Sequence, residues 1–150
     1  MIAYPDTSFL CALYVPLSTS AAAIAHYRRM SEPLHVTTLL LGEFRQSVRF
    51  QMFRHSRDAT QGYSRKTGLD ALAKLQSNLD VGALVVAPAD WADALDIAER
   101  VSARHTIAGG HRYLDVLHVA TALHLGAVEF LSFDANQRKL AAAEGLAPKP

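Results

Sequence analysis

Ile2-Ala3-Tyr4-Pro5-Asp6-Thr7-Ser8-Phe9-Leu10 sets a short uncharged run directly before a single carboxylate. The run reads as a buried strand, and Tyr4, ahead of a proline, is biased toward extended backbone. Inside a parallel sheet, such a strand delivers Asp6 to its carboxyl end, where open α/β sheets hold their ligands. Thr7 and Ser8 are expected to cap the helix that Phe9-Leu10-Cys11-Ala12-Leu13 begins.

The same alternation continues outward. Ser18 or Ser20 opens an alanine-rich helix to about Met30, Leu34-His35-Val36 is a short strand, and Thr37 or Thr38 caps a long helix carrying Leu40, Phe44, Val48 and Met52. A further helix is expected from about Asp58 to Leu79, then a buried strand Val81-Gly82-Ala83-Leu84-Val85-Val86, then a helix from Trp91 to about His105 with Asp90 as its cap. Thr106 to His111 reads as a glycine-bearing loop before an apolar helix, Tyr113 to Leu125, stopped by Gly126. Val128-Glu129-Phe130-Leu131-Ser132-Phe133 is the last predicted strand, with Asp134 beyond it and a helix from Ala135 to Ala143. Strands alternating with helices predict a three-layer α/β/α sandwich around a central, mainly parallel sheet, one domain over residues 1–150.

Composition narrows the class. Half the residues are hydrophobic and the net charge is +1, which describes a globular chain without a global polyanion-binding signature. One cysteine, Cys11, excludes an internal disulfide and metal-type cysteine spacing, in keeping with a reducing cytoplasm. The apolar amino terminus has no basic first region and is interrupted by Pro5, Asp6 and Pro16, so neither a signal peptide nor a membrane span is expected.

Asp6 and Asp134 each follow an apolar strand and precede a helix, so parallel strands bring both to one edge. Glu43 and Asp115 lie early in helices that begin on that side. Asp115 sits among Leu114, Val116, Leu117 and Val119, where an unpaired buried charge costs several kcal/mol. Carboxylates about 4 Å apart repel by roughly 4 kcal/mol at an effective dielectric near 20. An all-oxygen set offset by a hard cation, Mg²⁺ or Mn²⁺, is the usual solution, and such an ion suits phosphodiester hydrolysis.

Asp6-Thr7-Ser8, Leu41-Gly42-Glu43-Phe44, Arg112-Tyr113-Leu114-Asp115-Val116-Leu117-His118-Val119-Ala120-Thr121-Ala122 and Phe130-Leu131-Ser132-Phe133-Asp134 stand in the order and approximate spacing of the PIN-domain ribonucleases. The chain resembles this family along its whole length, and within it the VapC-type toxins of toxin–antitoxin pairs. The resemblance implies an endoribonuclease dependent on Mg²⁺ or Mn²⁺ with Asp6, Glu43, Asp115 and Asp134 as its acidic site. It implies Asp6 and Asp115 as direct metal ligands, Glu43 and Asp134 binding metal directly, through water or at a second site, and products with 5′-phosphate and 3′-hydroxyl ends. It further implies a cognate VapB-type antitoxin. The helix from Ser20 to Met30, small on one side, is expected to pack either in a homodimer or in the core. Two departures stand out: Pro5 before the first acid removes an amide donor, and Ser132 stands where the family often has Thr.

Blander roles compete. Asp6 and Asp134 also suit helix caps, Glu43 a solvated face, and His118 a packed histidine or a partner of a site residue. Asp93, Asp96 and Glu99 are expected to pair with Arg100 and Arg104 on their own helix. Ser8, His111 and Arg112 are the candidates for contact with substrate, Arg112 and His111 because they precede the Asp115 helix. The basic run from Arg45 to Lys66, interleaved with Phe50, Phe53 and Tyr63, reads either as a solvated face or as an RNA-contacting rim. Against hydrolysis stand a receiver-like domain, which lacks its late lysine, a phosphatase, which lacks a second Asp at Ser8, and a PIN-like binding module without catalysis.

Overall fold

The computed structural model describes residues 2–150. Five short strands, β1 (Ala3–Pro5), β2 (Leu34–Val36), β3 (Leu84–Val86), β4 (Glu129–Leu131) and β5 (Ala147–Lys149), are joined by seven helices. These are α1 (Thr7–Tyr14), α2 (Ser20–Tyr27), α3 (Thr38–Arg57), α4 (Arg65–Asp80), α5 (Trp91–Gly109), α6 (Tyr113–His124) and α7 (Ala135–Ala143). Parallel ladders link β1 to β4, β4 to β5 and β2 to β3. β1 also packs beside β2, which gives the lateral order β3-β2-β1-β4-β5.

No ladder crosses from β1 to β2, and Pro5 supplies the physical reason. Residues of a parallel strand bond alternately to its two neighbours. Ile2 O accepts from Val128 N at 2.9 Å and Asp6 N donates to Leu131 O at 2.9 Å, so even-numbered positions serve β4. Ala3 and Pro5 therefore turn toward β2, where a proline has no N–H to give.

Ala3, Tyr4 and Pro5 are all buried although successive residues point to opposite faces, so both faces of the sheet are covered. This is the α/β architecture expected from the alternation. The helices pack in two groups, α1 to α4 around α1 and α3, and α5 to α7 around α6. Phe9, Leu10, Phe44, Val119 and Phe130 are among the fully buried side chains that fill the core.

Several local expectations are corrected. Asp6, rather than Thr7 or Ser8, caps α1, because its carboxylate already reaches Phe9 N at 2.9 Å. The helix expected from Asp58 begins only at Arg65, capped by Ser64, since Asp58 turns back to bond Thr60 and Gly62 adopts a φ of 59°. A Cβ at Gly62 would fall 2.1 Å from Gln51 O, so only glycine closes this hairpin between α3 and α4. The buried strand expected over Val81 to Val86 is an edge strand, with Leu84 buried and both valines exposed. Helix α5 runs through the expected Thr106–His111 loop as far as Gly109, and ends at Gly110, whose φ of 64° is the left-handed cap. β5 was hidden by Pro148, which an edge strand tolerates. Asp93 pairs with His124 on α6 at 2.6 Å and Arg104 with Glu144 at 2.9 Å, not with partners on their own helix.

Candidate active site

Asp6 leaves the end of β1 fully buried. Its Oδ1 accepts from Phe9 N at 2.9 Å and from Ser8 Oγ at 2.6 Å, and its Oδ2 accepts from Ser132 Oγ at 2.5 Å. Burial raises its pKa above the ordinary carboxylate value, and those three hydrogen bonds pull against the rise. A buried acid held by three donors is a costly feature to keep without a task.

Asp134 leaves the end of the neighbouring β4 and caps α7, with Oδ1 accepting from Gln137 N at 2.8 Å. Its own amide donates to Ser132 Oγ at 2.9 Å. One hydroxyl, Ser132, thus links the Asp6 carboxylate to the backbone amide of Asp134. The parallel pairing of Pro5 with Leu131 sets this arrangement, because it aligns the residues just beyond each strand.

Asp115 lies in the first turn of α6 and is 7% exposed. Arg112 Nε donates to its Oδ2 at 2.9 Å, and Gln137 Nε2 to its Oδ1 at 3.0 Å. Glu43, on α3, accepts at Oε2 from His118 Nε2 at 2.5 Å and from the Thr7 hydroxyl. Burial pushes Glu43 upward, but the His118 and Thr7 hydrogen bonds and the Arg112 charge outweigh it and leave its pKa below the usual carboxylate value. His118 in turn receives Tyr4 OH at Nδ1, 3.2 Å away, and Tyr4 OH meets Thr37 Oγ1 at 3.2 Å. The packed-histidine expectation for His118 thus holds in a specific form: a buried strut between the strand core and Glu43.

Asp6, Asp134 and Asp115 are joined by a hydrogen-bonded chain through Ser132 and Gln137. Glu43 is tied to Thr7, next to Asp6, and to His118, one turn along from Asp115. Among the described residues, however, no three His, Cys, Asp or Glu side chains converge closely enough to ligate one ion. The expected convergence is therefore a shared network rather than a closed cage, each carboxylate being turned onto its own donors. Arg112, whose charge acts on Asp115, Asp134 and Glu43, supplies part of the offset the acids require. Glu43 Oε1 and Asp134 Oδ2 accept no hydrogen bond among the described residues, which leaves two charged oxygens available. An all-oxygen donor set with unused lone pairs fits a hard divalent cation.

The expected substrate contacts divide. Arg112 is exposed beside the acids. Ser8 is spent on the scaffold, donating to Asp6 and accepting from Phe133 N at 2.9 Å. His111 bonds Asn136 at 3.1 Å rather than any of the four acids. Thr7 and Gln137 were missed as site residues. A polar residue three positions after a capping acid was the available clue for Gln137.

The sequence matches the PIN domain family over residues 3–143. The chain belongs to the PIN domain family. Among solved structures, VapC20 of Mycobacterium tuberculosis, described as a sarcin-ricin loop cleaving toxin, is similar at 19% identity and a TM-score of 0.66, with 99% of each chain covered. FitAcB from Neisseria gonorrhoeae is similar at 14% identity and a TM-score of 0.62, covering 100% of this chain and 97% of that one. PAE2754 from Pyrobaculum aerophilum is similar at 17% identity and a TM-score of 0.60, covering 99% and 89%. No curated protein sequence matches at a significant level. These likenesses extend the PIN fold to the whole chain. Among the described residues no helix is long and apolar enough to cross a membrane.

Proposed function

We propose that this PIN-domain chain is a divalent-metal-dependent endoribonuclease acting as the toxin of a toxin–antitoxin pair. The observation that carries the proposal is the placement of Asp6 and Asp134 at adjacent parallel strand ends, linked through Ser132 and Gln137 to buried Asp115. Asp6 and Asp115 would hold Mg²⁺ or Mn²⁺ directly, with water filling the remaining positions, and Glu43 and Asp134 would act directly, through water or at a second ion. When bound, the ion supplies Lewis-acid activation of water and neutralises charge on the phosphoryl group.

The chain's own residues prepare that chemistry. Ser8, Ser132 and Phe9 N fix both oxygens of Asp6. His118 and Thr7 keep Glu43 ionised and aimed, and Gln137 holds Asp115. Arg112 is exposed enough to exchange its contact with Asp115 for a phosphate oxygen, a partner its planar guanidinium suits equally well. VapC20, a sarcin-ricin loop cleaving toxin with the same fold, supports an RNA substrate and a toxin role. The partner expected on this reading is a small VapB-type antitoxin, and the expected free state is a homodimer.

The test is cleavage of RNA by the purified chain. Mg²⁺ or Mn²⁺ should support it, chelator should abolish it, and Asp6→Ala and Asp115→Ala should each lose it while remaining folded by circular dichroism. A folded Asp115→Ala chain that cuts at the wild-type rate would sink the assignment.

A further inference from the structure

Helix α3 carries more than Glu43 on its outward side. Seven residues make nearly two full turns, so Phe50 lies almost directly along the axis from Glu43, about 10 Å away at 1.5 Å per residue. Arg54 and Arg57 follow on the same side at about 17 and 21 Å, with Phe53 between them and Phe50. The opposite side, Leu40, Leu41, Phe44 and Val48, already packs the core.

Phe50 and Phe53 leave 52% and 51% of their surface in solvent. Their ring centroids are 6.1 Å apart with planes inclined by 30°, and the Arg57 guanidinium stands 5.4 Å from the Phe53 centroid. From Arg45 to Lys66 six basic residues face a single acid, Asp58, whose carboxylate is occupied by Thr60. Among the described residues no carboxylate lies within ion-pair distance of Arg45, Arg49, Arg54, Arg57 or Arg65. Lone exposed aromatics are common on protein surfaces; two rings side by side, flanked by uncompensated guanidinium groups and in line with an acid of the site, are not.

We propose that this face of α3 is a platform for single-stranded RNA, on which bases a few nucleotides from the cut phosphate stack on Phe50 and Phe53 while Arg49, Arg54 and Arg57 meet the backbone. The inference rests on the ribonuclease reading, since the shared helix side is what makes the platform a continuation of the acidic site. Aromatic faces accept any unpaired base, and a positive groove follows the phosphates. Duplex RNA keeps its base faces stacked inside, so the platform selects single strands. Positive charge beside the acids also lets a polyanion approach a site that would otherwise repel it.

The test measures binding and cutting separately. In chelator, a labelled single-stranded 12-mer titrated against the Phe50→Ala/Phe53→Ala chain should bind at least tenfold more weakly than to wild type, with the double Tyr variant close to wild type. Arg54→Gln/Arg57→Gln should flatten the dependence of log K on log salt by about 1.4, from about 0.7 per lost phosphate contact. With Mn²⁺ added, all variants should hydrolyse a dinucleotide, which carries a single nucleotide on each side of the cut phosphate, at the wild-type rate. Single-strand affinity within twofold of wild type in the double Ala chain would overturn the proposal, as would an equal loss for duplex. Sedimentation showing that the Ala variant dissociates a dimer at unchanged RNA affinity would make the face a protein interface instead. A wild-type chain that cuts no RNA while the Ala variant loses binding would remove the nuclease reading and leave the platform standing.

Discussion

Gln137 Nε2 donates to Asp115 Oδ1 at 3.0 Å, and the same residue's backbone amide donates to Asp134 Oδ1 at 2.8 Å. One residue therefore spaces two acids that lie far apart in the chain. Its Oε1 is buried without a partner among the described residues. Turning the amide over would only set its oxygen against an Asp115 carboxyl whose oxygens already accept from Arg112.

Gln137→Met separates the two roles. It keeps the volume, removes the donor to Asp115, a charge-assisted bond worth about 1.5–3 kcal/mol, and also removes an unsatisfied carbonyl costing about 1–3 kcal/mol. The two nearly cancel, so the melting temperature should move by only a few degrees while RNA cleavage at saturating Mn²⁺ falls at least tenfold. A melting scan beside single-turnover rates checks this, and unchanged cleavage would leave Gln137 a packing residue only.

Asp6 tests the metal directly, without reference to turnover. Asparagine is as good a cap for α1 as aspartate, but it carries no charge into a fully buried position. Chelated Asp6→Asn protein should therefore melt no lower than wild type. An ion at about 100 times its Kd stabilises the folded chain by about 2.7 kcal/mol, or about 5–10 °C for a domain of this size. Mn²⁺ should raise the wild-type melting temperature by that amount and leave Asp6→Asn unmoved. Equal shifts in both would remove Asp6 from the ligand set.

Much of this site was legible because strand ends are. Apolar runs stopped by Asp6 and Asp134 announce both the sheet and the acids at its edge, and three-residue strands still obey that rule. What the linear pattern hid were contacts that depend on packing between distant elements. Thr7 reaches Glu43 across 36 positions, and His118 reaches the same carboxylate across 75. Helix limits near Asp58 and Thr106 were misplaced because the turn at Gly62 is set by Gln51 O, and α5 continues until Gly110 supplies a left-handed φ. Only the folded chain contains those constraints.

Cys11 is the one thiol in the chain, on α1 one turn beyond the Asp6 cap. Burial pushes its pKa up to about 11, with the nearby Asp6 and Glu43 charges adding to the rise and a Ser47 hydrogen bond opposing it. The folded thiol is therefore neutral near pH 7 and gains thiolate only as pH climbs toward that value. Iodoacetamide should label native protein at pH 7.5 at least tenfold more slowly than urea-unfolded protein, with the native rate rising steadily to pH 10. Rapid native labelling at neutral pH would contradict a half-buried thiol held neutral.

Arg112 separates ion binding from substrate binding. Its side chain is 78% exposed, and its Nε contact with Asp115 at 2.9 Å places a fixed positive charge where a divalent ion would also act. Arg112→Gln removes that competitor, and an exposed pair of this kind changes affinity by only about two- to fivefold. Mn²⁺ titrated calorimetrically should bind the variant tighter by that factor. RNA cleavage should move the other way, with kcat/KM falling at least tenfold, on the proposal that the guanidinium meets a phosphate of the substrate. Parallel losses of ion affinity and cleavage would instead make Arg112 a strut for Asp115, and the Lys variant distinguishes the cases. Lysine keeps the charge but not the planar fork, so it should restore the wild-type ion affinity and only part of the rate.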